Sequence, residues 1–178
     1  MGAPARVVIT GAPGGGKSSL LAELQDRGFQ TVPEVARAIL RRPDGMQLRE
    51  GDPHGFAKAM LEAERVSFED SRPSARPTIF DRGFPDIAGF LRIEELEIPP
   101  DLESACQTIR YDGPIFRAPA WRAIYQQDAQ RIQSWQEAVT SDQAVCHAWQ
   151  DYGYDVIDLP LCLIKERADF VVEHLKGG

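Results

Sequence analysis

Short apolar runs rich in β-branched residues alternate along this chain with longer segments whose apolar positions recur every three or four residues. RVVIT, 6–10, reads as a buried strand, and Lys17 to Arg27 as a helix stopped by Gly28. FQTVPE, 29–34, is the second expected strand, followed by a helix over about Val35 to Arg42. Pro43, Gly45 and Gly51 mark a loop, and Asp52-Pro53 then opens a long helix running to about Arg72. RPTIFDRG (76–83), GPIFRAP (113–119) and YDVIDLP (154–160) are the third, fourth and fifth strands. Between them lie helices over about Pro85 to Glu95 and Leu102 to Ile109, and a long polar helical stretch over Arg122 to Asp151. A last helix covers Cys162 to Leu175. Strands separated by helices imply βαβ units and a parallel sheet covered on both faces. No linker, repeat or low-complexity tract divides the chain, so one α/β domain over 1–178 is expected, with ligands at the carboxyl ends of the strands.

One break in this pattern carries chemistry. Between the first strand and first helix stands Gly11-Ala12-Pro13-Gly14-Gly15-Gly16-Lys17-Ser18-Ser19, which satisfies G-x-x-x-x-G-K-[ST] in full. Glycines let the backbone curl so that successive N–H groups point at phosphate oxygens. The following helix adds its positive N-terminal end. Lys17 places a compact charge against the β- and γ-phosphates, and the Ser18 hydroxyl is suited to ligate Mg²⁺. The expected architecture is therefore the P-loop nucleoside triphosphate hydrolase fold: a five-stranded parallel sheet in order 2-3-1-4-5, helices on both faces, and a helical lid over about 117–150.

Other strand ends complete the site. Asp81 closes the apolar run TIFD in the place of a carboxylate that holds the Mg²⁺ shell, and Arg82 beside it is suited to a phosphate or acceptor. Glu34 ends the second strand, where a carboxylate takes the proton of an acceptor hydroxyl as general base. Arg37, three residues on, shares its helical face. Arg117, Arg122 and Arg131 flank WRAIYQQDAQR, and Arg122 and Arg131 are the preferred pair to close over the transferring phosphate.

Composition narrows the setting. With 43% hydrophobic and 26% charged residues, the 178-residue chain is an ordinary globular one. A formal charge of −7 argues against sequence-blind nucleic-acid binding. No stretch approaches the roughly 20 apolar residues of a membrane span, and no signal-peptide core is present. Cys106, Cys146 and Cys162 lack a CxxC pair, and His54, His147 and His174 are scattered, so neither disulfides nor zinc are expected. A cytoplasmic protein, monomer or homodimer, fits these features.

VVITGAPGGGKSSLLAELQDRGF, VPEVARAIL, FDRGFPDIAGFLR, IFRAPAWRAIYQQDAQR and GYDVIDLP with ERADFV together resemble the NadR-type AAA domain family of small P-loop ATPases and kinases. The chain is also distantly similar to deoxynucleoside and thymidylate kinases. That resemblance implies Glu34 as base and Asp81-Arg82 as the acidic–arginine pair ending the third strand. It implies ATP and Mg²⁺ as cofactors, and γ-phosphate transfer to the hydroxyl of a small molecule such as a nucleoside. The alternative is an ATPase or nucleotide-regulated module working with a protein or lipid partner. A GTPase is disfavoured, because N-K-x-D is missing and DIAG, 86–89, falls inside an expected helix.

Overall fold

The computed structural model describes residues 6–71, 76–125 and 134–176. Its central strand, β1 (Arg6–Gly11), has Val7, Val8 and Ile9 wholly buried, as β-branched residues are when a strand has neighbours on both sides and helices on both faces. With β2 (Gln30–Val32), β3 (Thr78–Asp81), β4 (Ile115–Ala118) and β5 (Val156–Asp158) it forms one parallel sheet in order β2-β3-β1-β4-β5. This is the order the P-loop pattern predicts. Ile9 lies level with Asp81 on one side and Phe116 on the other, so β1 and β3 end at one edge.

Alternation along β1 assigns the two faces. Val7 and Ile9 pack with Leu20 and Leu24 of α1 (Lys17–Asp26) and with Ala168 and Val171 of α8 (Ile164–Lys176). Val8 faces the other side, with Phe56, Met60 and Leu61 of α4 (Pro53–Asp70) and Phe84, Ile87 and Leu91 of α5 (Phe84–Ile93). Leu102 and Ala105 of α6 (Pro100–Thr108) and Trp149 of α7 (Trp135–Asp151) complete that core.

Two expectations change. After α2 (Val35–Leu40), the segment marked as a loop contains a helix, α3 (Gly45–Gly51). Gly45 acts there by close approach: a Cβ would stand 2.2 Å from the Ile39 carbonyl, and Leu48 packs on the core. The long polar stretch also divides. Residues 122–124 form a turn, 126–133 lie outside the described residues, and α7 begins at a Ser134–Glu137 capping box. Val145 of α7 lies against Gly89 of α5, and Trp149 is fully buried. Of the stretch expected as a lid over about 117–150, Arg117 and Ala118 thus belong to β4 and α7 to the core.

Candidate functional site

The turn after β1 is shaped by glycine geometry. Gly11, Gly14 and Gly16 have φ of 121°, 75° and 83°, a region costly for residues with a Cβ. At Gly11 a Cβ would also stand 2.2 Å from the Ala118 carbonyl of β4, so the loop hugs the neighbouring strand. The chain then enters α1 from Gly16 without any side-chain cap, leaving first-turn N–H groups for an anion. Gly11, Ala12, Gly14 and Gly15 are buried, Pro13 half-buried, and the hydroxyl-bearing Ser18 and Ser19 exposed. Lys17 folds back into the turn and donates to the Ala12 carbonyl at 2.6 Å and the Gly11 carbonyl at 3.4 Å. Burial, reinforced by Arg82, lowers its ammonium to about pKa 8 against the opposing pull of Asp81, Glu34 and Asp86.

Beside this turn the ends of β2 and β3 bring their charges together. Glu34 precedes α2, with Arg82 Nε 3.3 Å from its Oε1 and Arg37 Nη2 3.6 Å from its Oε2. Burial pushes the Glu34 carboxyl up, but Arg82, Lys17 and Arg37 prevail and hold it below the ordinary carboxylate range. Arg37 also donates to Ser18 Oγ at 3.2 Å, tying α2 to the first turn of α1. Asp81 is buried and its Oδ1 has no hydrogen-bond partner among the described residues. Burial raises its carboxyl, with Lys17 opposing and Glu34 adding. Such an orphaned oxygen at a strand end is suited to a cation or a water on one. Lys17, Glu34, Arg37, Asp81 and Arg82 are therefore brought into one cluster.

Arg82 adopts φ 71°, unusual for a residue with a side chain, and is held there by its N–H on the Ile9 carbonyl at 3.0 Å. Its Nη1 reaches Asp86 Oδ1 at 3.1 Å. Asp86 was not among the expected site residues. It also accepts from Gly83 N at 2.9 Å, Trp149 Nε1 at 3.0 Å and the Thr10 hydroxyl. A carboxylate four residues after Arg82, in the first turn of α5, was the available signal. The expected arginines fare differently. Arg122 is exposed with its guanidinium 5.2 Å from the Trp135 ring. Arg131 lies outside the described residues. Arg117 is committed to Asp142 at 2.8 Å and Asp158 at 3.2 Å.

Sheet order and glycine turn together define a P-loop protein with the phosphate loop between β1 and α1. The chain belongs to a family of AAA domains, whose model matches residues 6–167. Its fold is shared with deoxyadenosine kinase from M. mycoides with bound dATP, at TM-score 0.70 and 12% identity over 96% of this chain and 99% of that one. Thymidylate kinase from Candida albicans gives 0.69 and 12% over 98% and 92%. NadR protein in complex with NR gives 0.62 and 15% over 97% of this chain and 50% of that one. No curated protein is matched by the sequence. Among the described residues no helix is long and apolar enough to cross a membrane.

Proposed function

We propose that the protein is a kinase that binds ATP with Mg²⁺ and transfers the γ-phosphate to a hydroxyl of a small, nucleoside-like molecule. The observation that carries this is the convergence of Lys17, Glu34, Asp81 and Arg82 at one edge of the sheet. An ATPase needs the phosphate loop and a positioned water. A carboxylate flanked by two arginines beside that loop additionally suits an acceptor that carries both a hydroxyl and polar groups to grip. The shared fold with kinases of nucleosides and nucleotides supports the same choice.

In this reading the loop amides and Lys17 bind the polyphosphate. Ser18 Oγ and Asp81 are the groups to hold Mg²⁺, which takes few protein ligands and, when bound, neutralises charge on the β- and γ-phosphate oxygens. Glu34, kept ionised by its arginines, is a strong hydrogen-bond acceptor and a modest base. That suits a loose phosphoryl-transfer transition state, in which the hydroxyl is first oriented and its proton passes to Glu34 late. Arg82 and Arg37 grip the acceptor. Arg122, and Arg131 outside the described residues, are the arginines expected to close over the γ-phosphate and exclude water.

The test is ADP release with a panel of nucleosides, vitamins and sugars, for the wild type and Lys17→Ala. One acceptor class should raise turnover at least about tenfold above hydrolysis, and Lys17→Ala should abolish it. With that acceptor, Glu34→Gln should lower kcat by about 10²- to 10⁴-fold, the range of a general base. If no small molecule raises turnover and a protein or lipid partner does, the protein is a nucleotide-driven switch instead.

A further inference from the structure

Arg167, on α8, is 0% exposed, yet it forms no ion pair among the described residues. Its Nη1 donates to the Gly15 carbonyl at 2.8 Å, and its Nε and Nη2 have no hydrogen-bond partner among the described residues. The guanidinium carbon stands 5.7 Å from the centre of the Trp121 ring, within cation–π range. A buried cation left this way opposes folding, and burial accordingly depresses its pKa. A cation placed at such a cost points to a role other than stability.

The bond to Gly15 supplies one. The α1 ladder starts a residue later, with Leu20 N donating to the Gly16 carbonyl at 3.1 Å, so Arg167 is the donor that the Gly15 carbonyl finds. A trans peptide is planar, with its C=O and the following N–H pointing in opposite directions. Drawing the Gly15 carbonyl towards α8 therefore turns the Gly16 N–H away from α8. Two adjacent glycines offer almost no resistance to the opposite orientation, in which the carbonyl oxygen would face an incoming phosphate. A Cβ on Gly16 would also meet Arg167 Nη1 at 2.9 Å, so a side chain there would have to displace the guanidinium.

We propose that Arg167 is a positioning residue for the phosphate loop: it locks the Gly15–Gly16 peptide with its N–H presented for phosphate and leaves an uncompensated positive charge behind the loop. This rests on the nucleotide-binding part of the proposed function. The experiment measures binding of MgATP and of Mg-tripolyphosphate, which has no base or sugar, to the wild type, Arg167→Met, Arg167→Lys and Lys17→Ala, together with thermal stability. Arg167→Met should weaken both ligands by about 10- to 100-fold, the range of a lost charged hydrogen bond, while its Tm in the absence of ligand holds or rises. Arg167→Lys, which keeps charge and one donor, should recover part of the loss. Unchanged affinity for both ligands in Arg167→Met would overturn the assignment. So would a loss confined to MgATP, which would place Arg167 on the base or ribose. A fall in Tm with unchanged tripolyphosphate binding would make it a structural residue only. Failure of the wild type to bind either ligand would instead remove the nucleotide-binding reading itself.

Discussion

Lys17 gives the sharpest quantitative consequence of the site. In the unliganded protein its ammonium sits near pKa 8 instead of its ordinary 10.5, chiefly because it is buried and secondarily because Arg82 is near. A polyphosphate arriving beside it restores the charged form, so binding above about pH 8 must take up a proton. The sign follows from linkage: affinity is fullest below pH 8 and is lost as pH rises through it. The protonated fraction falls about tenfold between pH 7 and pH 9, and the MgATP dissociation constant should rise by about the same factor. Without ligand the sign reverses, and the fold loses stability as pH falls from 10.5 through about 8, because the folded state then has to charge a buried amine. Isothermal titration calorimetry in two buffers of different ionisation enthalpy reads the proton directly, with uptake approaching one per site at pH 9. Glu64 also titrates near 8, so the measurement is repeated in Glu64→Gln, which should keep the dependence. Lys17→Arg, whose guanidinium stays charged throughout, should lose it whatever its absolute affinity. Affinity flat from pH 7 to 9 in the wild type, or proton release on binding, would refute the reasoning.

Further outcomes follow from other positions. Gly11→Ala combines a φ of 121° with a Cβ 2.2 Å from the Ala118 carbonyl, and should cost about 3 kcal/mol or more, seen as a Tm lowered by roughly 10 °C. A Tm unchanged within 2–3 °C, roughly what 1 kcal/mol gives, would show that the loop can shift away from β4. Glu64 is lifted from 4.5 to about 8 by burial, despite accepting a hydrogen bond from the Tyr111 hydroxyl at 2.6 Å. A raised carboxyl makes the fold less stable as pH climbs through that window, by up to about 1.4 kcal/mol per pH unit. Urea unfolding of Glu64→Gln should therefore gain on the wild type by a few kcal/mol between pH 5 and pH 8, and a constant difference would count against the buried-acid assignment. Asp86→Asn keeps its shape but loses the charge that fixes Arg82. It should lower kcat with the identified acceptor by about 10- to 100-fold, in line with the cost of slight misplacement, while nucleotide affinity stays within about twofold. Equal losses in both would assign Asp86 to the loop instead.

What the sequence made legible was local. The phosphate loop lies within nine consecutive residues, and Asp81-Arg82 stand at the end of an apolar run, so pattern and spacing were enough to find them. Glu34 and Arg37 needed the sheet order as well, since β2 meets the site only because β3 lies between it and β1. Gly45 misled because a glycine required by close approach looks the same in sequence as one that breaks a helix. The supports of the site were out of reach for a different reason. Thr10 meets Asp86 across 76 residues, Trp149 meets it across 63, and Arg167 reaches Gly15 across 152. No periodicity carries such pairings, because they depend on which helix packs over which strand end.

Those distant supports also bear on the role proposed for Glu34. Asp86 accepts from Gly83 N at 2.9 Å, Trp149 Nε1 at 3.0 Å and Arg82 Nη1 at 3.1 Å, with the Thr10 hydroxyl as a fourth donor. A carboxylate accepts at about four lone-pair positions, so Asp86 is saturated and anchors Arg82. Glu34 takes the other side of that guanidinium at 3.3 Å and Arg37 at 3.6 Å, both longer than the roughly 2.7–2.9 Å of a tight charged hydrogen bond. The two arginines thus stabilise the Glu34 charge through these longer contacts. Under the proposed function, this ionised carboxylate is the group that a hydroxyl entering beside the phosphate loop would meet.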